Sequence, residues 1–392
     1  MKKVGIITIH NSPNYGACLQ SFALYEYIRL LGYDVEIIDL HRPYHSDYIP
    51  SEKYKPYTHR FESIKQKLKR RIKDLIGLFA KRNQIDTNST TSVVVKDVVK
   101  DKVSLLFDDF NSRIRLSAPY KGIDQLYKHP PKYDTYITGS DQVWNPTQAY
   151  CVEPYFLTFV KDGRKISYAS SIGIELLTCK EKRDYANWLK GYDAISVREE
   201  AAKNILSELT TAHIDQVCDP TFLLDLDVWE NMAVTPKESD YVLVFTLAYD
   251  KNLVDYGLRL AKECGKVLVC LNPVQPDADD YISVKDAGPK EWLGYIRNAN
   301  LVITDSFHCT LFSILLGAKN FLTYISPYNQ RGSRIIELLD MFGLGCHLLP
   351  TDLGLCYREV EKIELPPSSR RQILETIINT RSKSREFLNA NI

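Results

Sequence analysis

The chain alternates between short apolar runs, which suit strands buried on both faces, and stretches with apolar positions three and four apart, which suit helices. Val4-Gly5-Ile6-Ile7-Thr8-Ile9 is the first run, followed by the turn-rich loop His10-Asn11-Ser12-Pro13-Asn14-Tyr15-Gly16. The spacing of Leu19, Phe22, Ala23, Tyr27, Leu30 and Leu31 predicts a helix, Gly32 a C-cap, and Val35 to Ile38 a second strand. That is a βαβ unit, which implies a right-handed crossover and a largely parallel sheet. Residues 42–130 break the rhythm and read as a partly helical insertion. It resumes with strands at Tyr133–Thr138, Lys165–Ala169, Ala194–Val197 and His213–Val217, and helices at Lys180–Lys190 and Glu199–Leu206.

An acidic, polar stretch near Asp225 to Asp240 separates this from a second α/β rhythm. There, strands are predicted at Tyr241–Leu247, Lys266–Leu271, Asn300–Thr304 and Asn320–Tyr324, with helices at Leu253–Cys264, Pro289–Arg297 and Phe307–Leu316. The pattern predicts an α/β chain of two Rossmann-like domains, residues 1–225 and 226–368, facing a cleft at the carboxyl ends of their sheets. A last helix, 369–392, is expected to pack back on the first domain.

A chain of 392 residues fits two domains of ordinary size. Its 50 Lys and Arg balance 49 Asp and Glu, so the strong basic excess of a nucleic-acid binder is missing. Nine scattered Cys with no CxxC pair read as reduced core thiols and a cytoplasmic location. No apolar stretch of 18 residues is present. Segment 61–82 is a basic amphipathic helix by its spacing: it either packs on the domain or lies on an anionic membrane surface as a peripheral contact.

Candidate chemistry falls at strand ends. Asn14, Tyr15, Gly16 and Gln20 surround the first helix N-terminus, where free N–H groups can meet an anion and Gly16 admits a close approach; a plain tight turn reads the same way. Gly139-Ser140-Asp141-Gln142-Val143-Trp144-Asn145 gathers hydrogen-bonding side chains around an aromatic ring, a composition suited to a polyol or to internal caps. Arg198 can hold a phosphate or carboxylate in two hydrogen bonds, or pair with Glu199 or Glu200. Asp305, Ser306 and His308 open a helix, and only the histidine titrates near neutral pH. Arg331 and Arg334 flank a Gly-Ser helix start, a possible phosphate cradle. Asp277-Ala278-Asp279-Asp280 reads as a solvated acidic loop, and no metal site is expected.

Taken in order, Asn14-Tyr15-Gly16-Ala17 with Leu19-Gln20, Gly139-Ser140-Asp141-Gln142-Val143-Trp144-Asn145, Ser196-Val197-Arg198-Glu199, Asp219-Pro220-Thr221, Thr304-Asp305-Ser306-Phe307-His308 and Arg334-Ile335 resemble the polysaccharide pyruvyl transferase family. The resemblance implies a GT-B-like fold and transfer of a pyruvyl ketal from phosphoenolpyruvate, a co-substrate, to a sugar hydroxyl pair on a glycan or lipid-linked oligosaccharide. No cofactor is implied. It makes His308 and Arg198 the catalytic residues, with Asp305, Ser306, Arg331 and Arg334 on the donor and Asn14, Tyr15, Gly16, Gln20, Ser140, Asp141 and Trp144 on the acceptor. Members with established chemistry carry Arg-Leu-His where this chain has Ser306-Phe307-His308. The missing cation is expected to come from Arg334 or Arg331. The alternatives are a GT-B glycosyltransferase using a nucleotide sugar and a non-catalytic glycan-binding relative.

Overall fold

The structure is a computed structural model that describes residues 1–10, 12–57, 102–271, 279–326, 332–363 and 367–392. The basic segment 61–82, Arg331 and the Asp277-Ala278 half of the acidic loop lie outside the described residues.

The first unit contains β1 (Lys3–Ile7), α1 (Tyr15–Leu30), β2 (Asp34–Ile37), α2 (Lys102–Asn111), α3 (Ile123–Lys128), β3 (Thr135–Thr138), β4 (Arg164–Ser170), α4 (Cys179–Trp188), β5 (Ala194–Val197), α5 (Glu200–Ser207) and β6 (Ile214–Gln216). Its strands pair in parallel in the order β2-β1-β3-β4-β5-β6. The chain leaves β1 to one side for β2 and returns to the other for β3, so the topological switch lies between β1 and β3. The apolar runs have the burial a parallel sheet covered on both faces requires: Val4, Ile6, Ile7, Ile137 and Ile166 have no exposed surface.

The second unit contains α6 (Leu226–Met232), β7 (Tyr241–Phe245), α7 (Lys251–Glu263), β8 (Val267–Leu271), β9 (Ile282–Val284), α8 (Pro289–Asn298), β10 (Leu301–Thr304), α9 (Phe307–Leu315), β11 (Phe321–Thr323), α10 (Ser333–Met341) and α11 (Tyr357–Glu361). The parallel order is β11-β10-β7-β8-β9, with the switch between β7 and β10. Strand β9 escapes the periodic reading because it is a three-residue edge strand whose Ile282 is exposed.

An aromatic seam joins the units. Tyr15, at the start of α1, stacks on Trp292 of α8 at 5.4 Å and meets the Phe245 ring at 5.7 Å, while its hydroxyl donates to the Ala287 carbonyl. Trp292 packs edge-on to Phe312, and Phe312 to Trp229. Helix α2, in the described part of the expected insertion, does more than decorate the first unit: Phe107 meets Tyr15 at 5.2 Å, and Asp109 pairs with Lys290 of α8 at 2.6 Å. The final helix, α12 (Pro367–Asn391), lies along the first unit. Ser384 accepts from the Cys218 amide at 2.9 Å, Arg381 donates to the Phe222 carbonyl, and Arg385 reaches the Leu223 carbonyl and Asp225.

Replacing Trp292 by Ala removes the ring that links Tyr15 to Phe312. The cost expected for a buried large aromatic is about 3–5 kcal/mol, read as a fall in the chemical denaturation midpoint. An unchanged midpoint would show that the seam does not hold the units together.

Candidate active site

Both switch points, and the loops beyond β5 and β6, open on the same interface. Asn14 caps α1 through a 3.1 Å hydrogen bond from the Ala17 amide, and Ser306 caps α9, its hydroxyl accepting from the Cys309 amide. These two helix N-termini, one from each unit, meet. A Cβ added at Gly16 would overlap the His308 imidazole, so the backbone approach that glycine permits is made by a side chain of the other unit.

On the other edge of that ring, Nε2 of His308 lies 3.6 Å from Oδ2 of Asp219, close enough for an ion pair when the ring is protonated but too long for a hydrogen bond. The same carboxylate oxygen accepts from Nη1 of Arg198 at 2.7 Å, and Oδ1 takes the amide and hydroxyl of Thr221. Burial alone would raise the Asp219 carboxyl. The His308 imidazole and the Arg198 guanidinium outweigh it and hold the carboxyl well below the usual carboxylate range. Arg198 is 6% exposed, and its guanidinium lies 4.4 Å over the Phe307 ring. Its Nε and Nη2 have no hydrogen-bond partner, Nε standing 3.6 Å from Oε2 of Glu199. Arg334, on α10, places its guanidinium 5.4 Å from the same ring. Arg198, Asp219, Phe307 and Arg334 together line a cavity of about 270 Å³, with Glu200 and Glu337 also on its wall.

Sequence reasoning placed Glu199 only as a surface partner of Arg198. It is buried, and Oε1 accepts from the Ser171 hydroxyl at 2.6 Å and from the Ile172 and Gly173 amides, which pins the loop after β4 beneath Arg198. The available signal was an acid directly following Arg198 at a strand end. Asp219 also emerges as the hub rather than as a turn residue alone.

Several expected ligand contacts are structural instead. Trp144 is fully buried, stacked on Phe156 at 4.7 Å with its N–H donated to the Tyr155 carbonyl, so neither ring face is open to a sugar. Tyr15 belongs to the aromatic seam. Gln20 is buried and donates to Thr8, Ile9 and Ala17. Ser140 is buried too, its carbonyl accepting from the Thr8 hydroxyl. Asn14 is exposed, and Asp141 is half-buried with a left-handed backbone, its charge felt at both Arg198 and Arg42. Ser306 is occupied in capping its helix.

The family profile described as "Polysaccharide pyruvyl transferase" matches residues 14–326. The chain belongs to the polysaccharide pyruvyl transferase family. A search of curated protein sequences finds no match. Among solved structures, this pyruvyl transferase family chain is similar in fold to the UDP-GlcNAc 2-epimerase from Neisseria meningitidis, solved bound to UDP-GlcNAc, with 11% identity, full coverage of both chains and a TM-score of 0.52. A putative UDP-N-acetylglucosamine 2-epimerase from Listeria monocytogenes follows at 10% identity, a TM-score of 0.48, and coverage of 95% of this chain and 91% of that one. The glycotransferase of kitacinnamycin aligns at 9% identity and a TM-score of 0.48, over 98% and 96% of the two chains. Two parallel-sheet units facing each other in this way make the GT-B fold, as the resemblance implied.

Asp305 joins the two strands flanking the second switch: Oδ1 accepts from the Leu247 amide at 2.9 Å. Burial pushes its carboxyl up to about 6. The folded state therefore binds its proton more tightly than the unfolded chain, and stability falls as pH rises from about 4 towards about 6, then levels off. Asp305→Asn keeps the acceptor without that loss, so its stability advantage is expected to grow across this window and stay constant above it, measured as the difference in melting temperature from pH 4 to 8.

Gly16→Ala is expected to destabilise by about 1–3 kcal/mol through overlap with His308. In a His308→Ala background the same change should be neutral or stabilising, since alanine is the better helix former by about 1 kcal/mol. Denaturation of the four proteins of this cycle tests the contact, and equal effects in both backgrounds would refute it.

Proposed function

We propose that the chain transfers the pyruvyl unit of phosphoenolpyruvate to two hydroxyls of one sugar, releasing phosphate and leaving a cyclic ketal. The observation that carries this reading is the pair of guanidiniums, Arg198 and Arg334, that share the Phe307 ring and one cavity. Arg198 offers two unpartnered nitrogens to a dianion. A cavity of about 270 Å³ has room for a three-carbon phosphate.

Arg334 supplies the cation that Ser306 lacks. Its charge arrives from the neighbouring helix, which leaves position 306 to cap α9 with a short hydroxyl that arginine could not provide. Arg331 remains a candidate for the same task. Asp305 shapes the donor side by joining β7 to β10.

Chemically, a proton added to the methylene carbon of phosphoenolpyruvate makes C2 electrophilic. One sugar hydroxyl attacks C2, and the second displaces phosphate. One hydroxyl proton leaves on the phosphate and the other restores the acid that protonated the methylene carbon; no electrons are exchanged, so the transfer requires no redox cofactor. His308 is the proposed acid, with the Asp219 carboxylate 3.6 Å from its Nε2. In the arrangement described, Gly16 covers one edge of the ring and Asp219 the other. Proton delivery therefore requires a small shift between the two units that uncovers the ring. Asn14 and Asp141 are the residues of the first unit open to an acceptor. A lipid-linked oligosaccharide would be reached by peripheral contact through 61–82 from the cytoplasmic side, where phosphoenolpyruvate is made; no described helix is long and apolar enough to cross a membrane.

Calorimetry with phosphoenolpyruvate tests the donor. Arg198→Ala is expected to abolish binding, and Arg334→Ala to weaken it about 10–100-fold, the value of a charge-assisted hydrogen bond of about 1.5–3 kcal/mol. His308→Ala should bind the donor yet lose turnover. Wild-type affinity in Arg334→Ala would end the compensation argument. Stabilisation by a nucleotide sugar but not by phosphoenolpyruvate would assign the cavity to the glycosyltransferase reading.

A further inference from the structure

The segment that follows β2 carries a cluster unrelated to the donor cavity. Nδ1 of His41 lies 2.8 Å from Oδ1 of Asp47, and the His41 and His45 rings stack at 4.3 Å with 12° between their planes. One ligand atom from each of His41, His45 and Asp47 falls within 4.8 Å of the others. Behind them stands a second layer. Nε2 of His41 is 3.6 Å from Oδ2 of Asp39, and Oδ1 of Asp39 is 3.0 Å from Nε2 of His10.

We infer that His41, His45 and Asp47 form a binding site for a first-row divalent cation of the zinc type at the carboxyl end of the first sheet. The donor set decides the class. Two imidazole nitrogens and one carboxylate suit Zn²⁺, Co²⁺ or Ni²⁺, whereas Mg²⁺ and Ca²⁺ prefer oxygen throughout. Three protein ligands leave a fourth position for water or another oxygen donor. The layer behind points the same way. A metal-bound histidine characteristically gives its other ring nitrogen to a carboxylate, which sets its tautomer and orientation. Asp39 stands behind His41 at 3.6 Å, a short movement from that hydrogen bond, and His10 in turn steadies Asp39 at 3.0 Å.

In this arrangement a proton on Nδ1 of His41 occupies the direction the ion would take towards Asp47. Tetrahedral coordination at about 2.0–2.1 Å needs ligand atoms about 3.3 Å apart. The half-buried His45 ring must therefore turn out of its stack so that the lone pairs converge. Asp47 can bind through Oδ1 while Oδ2 stays 3.5 Å from Lys121. The site does not depend on the identity of the donor, because none of its residues lines the Arg198 cavity. It does reach the acceptor side: Arg42, between the two histidines in sequence, donates to the His10 carbonyl at 2.6 Å, tying this segment to the loop that leads into α1.

Titration of the full-length chain with Co²⁺, followed by visible absorption and then displacement with Zn²⁺, tests the site. One equivalent is expected, with the bands of a low-coordinate cobalt ion and no thiolate charge-transfer band. His45→Gln and Asp47→Asn, each at a partly exposed position, should abolish it with the far-ultraviolet circular dichroism unchanged. Asp39→Asn should weaken it about 10–100-fold, the usual effect of removing a carboxylate behind a ligating histidine. No cobalt binding, full binding in His45→Gln, or a thiolate band marking cysteine ligation would each overturn the inference. Phosphoenolpyruvate affinity measured on the same variants keeps this outcome separate from that of the donor assignment.

Discussion

The cleft is organised around one contact, the imidazole of His308 seated against the bare backbone of Gly16. It brings the N-termini of α1 and α9 together across the two units. It also sets the depth to which the second unit can close on the first. Everything around it follows from that depth. With His308 there, Asp219 faces the imidazole on one side and the Arg198 guanidinium on the other, and Arg198 is left lying over Phe307 with part of its guanidinium uncommitted. A side chain at position 16 would wedge the units apart and leave Asp219 paired with Arg198 alone.

Burying this many charges is costly in itself, since desolvation can exceed the attraction between an ion pair. Two arginines, Arg198 and Arg334, and five acids, Glu199, Glu200, Asp219, Glu337 and Asp340, are gathered around one aromatic ring and one cavity. Glu199 spends one oxygen on the backbone of the loop after β4, so it neutralises Arg198 only partly.

The parallel strands were legible because strands covered on both faces must be apolar throughout, and Val4 to Ile7, Tyr241 to Phe245 and Leu301 to Ile303 are. Strand β9 was not, since three residues at a sheet edge carry no period. The strand-end motifs were legible as places but less so as roles. Trp144 and Gln20 have the composition of ligand contacts and turn out to fill the interior, because a side chain that can bond a sugar can equally bond a carbonyl. Glu199 and Asp219 gain their meaning from partners 20 or more residues away, Ser171 to Gly173 and Arg198, which no local pattern connects. The departure at Ser306 was visible as a missing charge; that Arg334 stands over the same ring required the fold.

Helix α12 leaves the second unit and lies along the first, where Ser384, Arg381 and Arg385 bond backbone of the Cys218 to Leu223 stretch. The first unit is thus begun by the opening residues and completed by the closing ones, with the other unit inserted between. On a ribosome its Asp219 turn waits, without these partners, until about 160 further residues have been made.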